Sequence, residues 1–370
     1  MNQYIIYILG AFLLSILCGF LFIPQIIKFC RKKGLYDHPN RRKVHSRDIP
    51  RLGGISFMPS MLLASLVVVL VYNQNYYSHE ITISSWSLMF FLSLLLIYFV
   101  GLVDDLVGLG AKTKFVVQTF AAVLLPLSGL YINNLYGFCG IHEIPFMVGA
   151  PLTVFVMIFA CNAINLIDGI DGLSAGLSFI ALTGFLFCFY SEDMYTYCIL
   201  IAGLLGVLVV FLYFNILGDA DKGTKIFMGD SGSLTLGFIL GFLFVKFTMD
   251  NPKVRNFSLD SMALAYTLLI VPMFDVVRVS LIRLWHRKPV FQADKNHIHH
   301  KLMRAGLNQY QTLACILCLS LFFIVLNLVL ARFIYVSLIV VVDVVVWMLF
   351  HSLVNIRVRK QGHLVFLENK

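Results

Sequence analysis

Long runs of apolar residues, each about the length of a bilayer-crossing helix, recur along the whole 370-residue chain. Such a helix needs about 20 mostly apolar residues. Together with a mean hydropathy of +0.87, these runs predict an all-α, polytopic integral membrane protein formed by one domain, residues 1–370. We count eleven predicted spans, and ten is the alternative because the last two nearly touch: approximately 4–26, 53–72, 86–103, 114–132, 146–164, 173–190, 197–215, 233–249, 260–281, 313–331 and 332–351.

The lysine and arginine residues fall on alternate connections between the predicted spans. Segment 27–52 holds nine of the 28, whereas 73–85 and 133–145 hold none. Continuing the alternation places 24 on one side and four on the other. Because cytoplasmic loops carry the excess of positive charge, we expect the N-terminus outside and the C-terminus in the cytoplasm. The net charge of +9 is then a feature of topology and of the lipid surface, which argues against a nucleic-acid partner.

Acidic residues stand at the ends of three predicted spans, all on the expected cytoplasmic side. Asp104 and Asp105 end the third span, Asp168 and Asp171 follow the fifth in NAINLIDGIDGL, and Asp230 precedes the eighth in FMGDSGS. Carboxylates beside hydrocarbon are costly and tend to mark function. We therefore expect three separate loops to converge on one site.

The residue types in these loops suit a metal ion and phosphate. Adjacent carboxylates repel unless a cation relieves them, and clusters of oxygen ligands favour Mg²⁺ over softer metals. Asn162, Asn165 and Asp168 recur every three residues, which places their side chains on related faces of a helix end. The glycine-rich lead into the eighth span, 229–233, offers free N–H groups to phosphate, although ordinary helix capping is the simpler interpretation of Ser233.

A basic, histidine-containing segment covers residues 283–304. His297, His299 and His300 stand there among arginines and lysines, which favours an anion site, with a lipid-headgroup patch as the alternative. Carboxylates for a metal and cations for anions together match what phosphoryl transfer requires.

Several ordered motifs together resemble one family. They are the segment Asp37 to His45 with Pro50 to Gly54, the Asp104–Asp105 pair, NAINLIDGIDGL, FMGDSGS and ADKNHIHHKLMRAG. At these residues nearly the whole chain resembles the polyprenyl-phosphate N-acetylhexosamine-1-phosphate transferase superfamily, glycosyltransferase family 4. The HIHH ending is similar to the N-acetylglucosamine-1-phosphate branch, because Ile298 interrupts the three consecutive histidines typical of the muramoyl-pentapeptide branch.

The resemblance implies roles for individual residues. Asp230 and Asn165 would be ligands of Mg²⁺, for which Mn²⁺ could substitute. Asp104, Asp105 and Asp168 would be the catalytic carboxylates, with Asp104 or Asp105 as a contested general base. The substrate-binding set would contain Lys114 at the pyrophosphate and Asp171 at the uracil, together with Asn162, Arg47, Arg51, His297, His299 and His300.

The implied activity is transfer of N-acetylglucosamine-1-phosphate from UDP-N-acetylglucosamine to undecaprenyl phosphate, or a similar polyprenyl phosphate, with release of UMP. The setting would be the bacterial inner (cytoplasmic) membrane, and the product would begin a cell-envelope polysaccharide such as O-antigen or teichoic acid. The partners would be the polyprenyl phosphate, the UDP-N-acetylhexosamine and the lipid bilayer; a homodimer is compatible with the family.

Three alternatives stay open at this point. A phospho-N-acetylmuramoyl-pentapeptide transferase would share most of the motifs. A cation-coupled transporter would also hold carboxylates, but near the bilayer midplane on broken helices and with repeat symmetry. A lipid-binding scaffold would explain the basic loops but not the paired carboxylates.

Overall fold

The structure, a computed structural model, describes residues 3–37, 47–75, 84–251, 261–289 and 295–366. Two of the sequence motifs extend beyond these ranges. Most of the Asp37 to His45 segment and residues 290–294, ahead of the histidines, lie outside the described residues.

The described chain is almost entirely helical, which confirms the predicted all-α class. Two short antiparallel ribbons pair β1 (Tyr36–Asp37) with β2 (Ile49–Pro50) and β3 (Asn134–Phe138) with β4 (Ile141–Glu143). A 3₁₀ turn covers Gly53–Ser56 and a π-helical turn covers Tyr213–Leu217. The helices are α1 (Gln3–Lys33), α2 (Phe57–Asn75), α3 (Ser85–Val107), α4 (Ala111–Leu127), α5 (Phe146–Ile167), α6 (Leu173–Ser191), α7 (Tyr195–Leu212), α8 (Gly229–Thr248), α9 (Ser261–Leu268), α10 (Ile270–Trp285), α11 (Ile298–Arg304), α12 (Gln309–Leu330) and α13 (Val336–Lys360).

Nine helices in the described ranges are long and apolar enough to cross a membrane, so the chain is a multi-pass membrane protein. A tenth span arises if α9 and α10, which meet at a bend of 70°, count as one. The eleventh predicted span corresponds to α4, whose 17 residues stand at the lower limit of bilayer-crossing length. The structure therefore has nine or ten spans in the described ranges, keeps the last two predicted spans separate as α12 and α13, and leaves α4 to decide whether the count is eleven.

The segment predicted as a continuous span at 260–281 is broken in the structure. α9 ends at Leu268 and α10 begins at Ile270. The break follows from Pro272, which has no N–H to donate to the carbonyl of Leu268 and whose ring crowds that carbonyl. The bend redirects α10, and the residues after it return toward the helix ends that carry the acidic motifs.

α8 lies at the centre of the bundle, between α3 and α5. Its residues from Ser231 to Thr248 are all buried. Glycines permit the close contacts, because a Cβ added at Gly101 of α3 would lie 2.6 Å from Ser231 Cα and one at Gly237 would lie 2.6 Å from Cys161 Cα. Small residues allow membrane helices to approach in this way. The ends of α3, α5 and α8 are consequently held close together.

Candidate active site

A cavity of about 970 Å³ opens where α3 and α5 end and α8 begins. Its volume is near the top of the range of small-molecule sites, roughly 300–1,000 Å³. The three acidic motifs therefore converge, as their expected common side suggested. The predicted site residues that line the cavity are Arg47, Arg51, Asp104, Asp105, Asn165, Asp168, Asp171, Asp230 and His300. We call Asp104, Asp105, Asp168 and Asp230 the acidic wall.

Asp105 fixes the start of α8. Its carboxylate accepts hydrogen bonds from the backbone N–H groups of Asp230 at 2.8 Å and Ser231 at 2.9 Å, and its side chain is buried. N–H groups in the first turn of a helix have no partner within the helix, and negative charge there complements the helix dipole. Asp105 thus holds Asp230 in position through the backbone of α8.

Asp104, its neighbour in sequence, belongs to a different network. Lys114 Nζ lies 3.0 Å from Asp104 Oδ2 and 2.7 Å from Asp230 Oδ2. The second oxygen of Asp104 accepts the backbone N–H of Leu109 at 2.5 Å. One ammonium group from α4 therefore bridges carboxylates of α3 and α8 that would otherwise repel each other.

The asparagines of α5 divide between the site and the bundle. Asn165 Nδ2 donates to Asp230 Oδ1 at 3.0 Å and to Ser233 Oγ at 2.8 Å, so Asn165 belongs to the acidic wall's network. Asn162, one helical turn earlier, instead donates to Gln118 Oε1 on α4 at 2.9 Å. Asn162 does not line the cavity and joins α4 to α5 behind it.

Asp168 follows the last residue of α5 and borders the cavity. No described residue donates a hydrogen bond to its carboxyl group. Burial, followed by the negative charges of Asp230, Asp171 and Asp105, raises the pKa of Asp168 to about 8. A carboxyl group held in this state would ionise readily if a cation came next to it.

The donor atoms around Asp168 fit a hard divalent cation. Asp168, Asp230 and Asn165 offer only oxygen donors, the type that Mg²⁺ and Mn²⁺ prefer. The described residues contain no group of three or more His, Cys, Asp or Glu placed to enclose a metal ion. Mg²⁺ is commonly held by one or two carboxylates, with water and substrate phosphates completing its shell.

Cationic groups stand on the other walls of the cavity. Lys225 Nζ lies 2.7 Å from Asp171 Oδ2, and both side chains are largely buried. Arg47 pairs with Asp221 in the loop before α8. Arg51 also lines the cavity, and its buried Nε has no hydrogen-bond partner among the described residues.

The three predicted histidines occupy different environments. His300 lines the cavity. His297 Nδ1 lies 2.8 Å from the buried carboxylate of Asp275 on α10, and His299 is buried beneath the loop that follows α5. The structure therefore brings one of the three to the cavity surface and places the other two behind it.

Three residues of this region were missed from the sequence. Lys225 has no local signal beyond its contribution to the charge asymmetry, and Asp275 stands alone in an apolar run, where an isolated carboxylate is a usable signal. Asn215 accepts the N–H of Gly172 at 2.7 Å and donates to the carbonyl of Ile226 at 2.8 Å, which ties the loop after Asp171 to the segment before α8.

Comparison with known proteins agrees with this arrangement. Residues 87–248 match the model of glycosyl transferase family 4. An undecaprenyl-phosphate α-N-acetylglucosaminyl 1-phosphate transferase of Yersinia pestis is 30% identical over 320 residues, covering 85% of this chain and 80% of that protein. The chain belongs to glycosyl transferase family 4.

Two further relatives also align over most of this chain. A probable undecaprenyl-phosphate N-acetylglucosaminyl 1-phosphate transferase of Bacillus subtilis is 29% identical and covers 94% of this chain and 92% of its own. The corresponding protein of Escherichia coli K12 is 30% identical over 80% of this chain and 76% of its own. These findings confirm the superfamily and the class of enzyme, a sugar-1-phosphate transferase.

Proposed function

We propose that the chain transfers N-acetylglucosamine-1-phosphate from UDP-N-acetylglucosamine to undecaprenyl phosphate. The observation that carries the proposal is the acidic wall, in which Lys114 bridges Asp104 and Asp230 while Asp168 has no partner among the described residues, beside a cavity of suitable size. The named activity of the relatives, aligned over most of both chains, supports the choice of acceptor and sugar.

In the proposed reaction an oxygen of the lipid phosphate attacks the β-phosphorus of the donor. A new P–O bond forms while the bond from that phosphorus to the oxygen shared with the α-phosphate breaks, and UMP leaves with that oxygen. A phosphate monoester, with a second pKa near 6, is already mostly dianionic at neutral pH. Positioning and removal of water therefore matter more than deprotonation, which agrees with Asp104 and Asp105 being engaged by Lys114 and by α8.

We further propose that Asp168 and Asp230, with Asn165, hold Mg²⁺. When bound, the ion would neutralise diphosphate oxygens as negative charge shifts toward the leaving UMP. Lys114 and Arg51 would contribute further positive charge around the diphosphate, and Lys114 also keeps Asp230 in place.

An apolar groove suited to a lipid tail lies between α4 and α5, toward the ends of these helices that are remote from the acidic wall. It measures about 490 Å³, and its mainly apolar lining includes Val123, Leu127 and Phe155. The same two helices carry Lys114 and Asn165 to the acidic wall. A polyprenyl chain lying along α4 and α5 would keep its phosphate at the wall, on what the charge asymmetry predicts to be the cytoplasmic face of the inner membrane.

The proposal is tested with purified protein, undecaprenyl phosphate and Mg²⁺, each UDP-sugar being added separately and UMP release measured. UDP-N-acetylglucosamine should be turned over, and EDTA should stop the reaction until Mg²⁺ or Mn²⁺ is restored. Turnover of UDP-N-acetylmuramoyl-pentapeptide in preference would identify the muramoyl branch instead. Metal-independent UMP release would contradict the metal assignment, and ion flux without UMP release would favour a transporter.

A further inference from the structure

His299 lies directly against Gly169, the residue that follows Asp168 in the loop after α5. A Cβ added at Gly169 would lie 2.5 Å from His299 Cε1 and 2.9 Å from Cδ2, and closer still to Nε2. Real Cβ atoms do not approach other heavy atoms this closely. The backbone of Gly169 has no positive φ, so the imidazole alone leaves no space for a side chain there.

The imidazole of His299 cannot easily move aside. Its side chain is about 2% exposed and its ring packs 4.2 Å from the ring of His300, centroid to centroid. The preceding residues are also anchored, because Asp275 accepts the backbone N–H of Ile298 at 3.0 Å and pairs with His297 at 2.8 Å. α10 therefore holds the start of α11, and α11 holds His299 under the loop.

The contact between His299 and Gly169 is steric and involves no hydrogen bond from the imidazole. Neither ring nitrogen of His299 has a hydrogen-bond partner among the described residues, and His299 does not line the cavity, whereas Gly169 and His300 do. On either side of Gly169 stand Asp168, in the acidic wall, and Asp171, paired with Lys225. A shift of Gly169 would move both carboxylates relative to the cavity.

We propose that His299 is a positioning residue, which sets the place of the loop Asp168–Asp171 by supporting the backbone of Gly169 from behind. It does so without touching substrate. The proposal rests on the proposed function, since the loop's task would be to present Asp168 and Asp171 to the metal-bound donor. It differs from the role that the resemblance implied, in which His299 contacts the substrate directly.

The test is a double-mutant cycle of Gly169→Ala and His299→Ala, with kcat, KM for UDP-N-acetylglucosamine and the half-saturating Mg²⁺ concentration measured for each protein. Gly169→Ala should lower kcat by at least roughly tenfold and raise the Mg²⁺ requirement, because the clash displaces Asp168. Removing the imidazole makes room for the new methyl group. The double variant should therefore regain at least about threefold in kcat over Gly169→Ala, since contacting residues couple.

Two controls separate this role from a direct one. Gly110→Ala adds a methyl group where no atom lies within 4 Å and should leave kcat unchanged. Adding His300→Ala to Gly169→Ala removes the neighbouring imidazole and should not restore kcat. If losses in the Gly169→Ala/His299→Ala protein simply multiply, His299 acts on the substrate and the proposal is wrong.

Two further measurements keep the test decisive. Should Gly169→Ala fail to fold, His299→Leu, which keeps bulk but no ring nitrogen, should retain more activity than His299→Ala; equal losses would contradict a role through shape.

The unfolding temperatures of wild type, the two single variants and the double variant in detergent report the same coupling without turnover. Coupling in unfolding temperature with no UMP release from wild type would refute the proposed function alone, whereas active wild type without coupling would refute the positioning role alone.

Discussion

The acidic wall and α11 both carry a short run of predicted site residues, yet they use them in opposite ways. All four carboxylates of the wall line the cavity, and Asp230 affects the charge of Asp104 through Lys114 and the charge of Asp168 directly. In α11 and the residue before it, His300 alone of the three histidines reaches the cavity surface. We propose that the first region carries the chemistry and that the second supports it.

The comparison also holds within each region. Asp105 stands beside Asp104 but satisfies the backbone of α8, as Asp275 satisfies the backbone of α11. Asp105 positions the start of α8, where Asp230 borders the cavity. Asp275 positions the start of α11, where His300 borders the cavity. Residue type therefore does not distinguish a side chain that is placed to contact a ligand from one that stabilises the start of a helix. The direction in which the side chain points distinguishes them.

The largest effect is expected from Asp230→Asn. The variant loses the partner of Lys114 and a proposed Mg²⁺ ligand together, and such a ligand is worth several kcal/mol of transition-state stabilisation. We expect UMP release to fall by about a hundredfold or more. Asp193→Asn, at the far end of the bundle between α6 and α7, is the matched control and should keep full activity. Near-normal turnover by Asp230→Asn would contradict a role for the acidic wall in the reaction.

The adjacent pair Asp104 and Asp105 sharpens the distinction between chemistry and support. Asp105→Asn leaves α8 with a weaker cap, so we expect a loss of about 1–2 kcal/mol in stability, seen as a lower unfolding temperature in detergent. Asp104→Asn should leave that temperature nearly unchanged, because Lys114 keeps Asp230 as its partner, but should lower kcat. The reverse pattern would show that the two roles are exchanged.

Hydropathy and charge asymmetry predicted the bundle and the convergence of three acidic motifs because both follow from the cost of burying polar groups in hydrocarbon. They also placed Asn165 and Asp168 together at the end of α5. They could not separate Asp104 from Asp105, since successive residues of a helix differ by about 100° in direction and the neighbouring helices decide which one contacts Lys114 and which one the backbone of α8.

The same limit applies to long-range contacts. The pair Asp171–Lys225 joins two loops 54 residues apart, and nothing local in either loop specifies the partner. The burial of His297 and His299 depends on the bend between α9 and α10, just before Pro272. Hydropathy does not reveal this bend, because it averages over the break and predicts one continuous span. Tertiary packing, not local pattern, determines both.

A smaller effect should appear in the coupling of metal and protons at Asp168. Its pKa of about 8 means that the carboxyl group is mostly protonated at pH 7 without metal, and Mg²⁺ requires the ionised form. Mg²⁺ affinity should therefore rise with pH up to about 8 and level off above it. Calorimetric titration at pH 7 in two buffers of different ionisation enthalpy should show about one proton released per Mg²⁺. Asp168→Asn should abolish that release; an unchanged proton count would place the proton elsewhere.

The smallest effect is expected on the supporting side, at Lys301 of α11. Burial, then the charges of Arg278 and Arg304, lower the pKa of Lys301 to about 7. An unfolded chain, with an ordinary lysine pKa near 10.4, binds more protons than the folded chain between these two values, so this residue makes stability rise with pH across that window. From pH 7 to pH 9 the gain should be on the order of 1 kcal/mol, measured as unfolding temperature in detergent. Lys301→Met should flatten the rise, whereas Lys222→Met, whose ammonium-bearing side chain is 82% exposed, should not. A rise that survives in Lys301→Met would assign the pH dependence to another group and leave α11 without a buried neutral lysine.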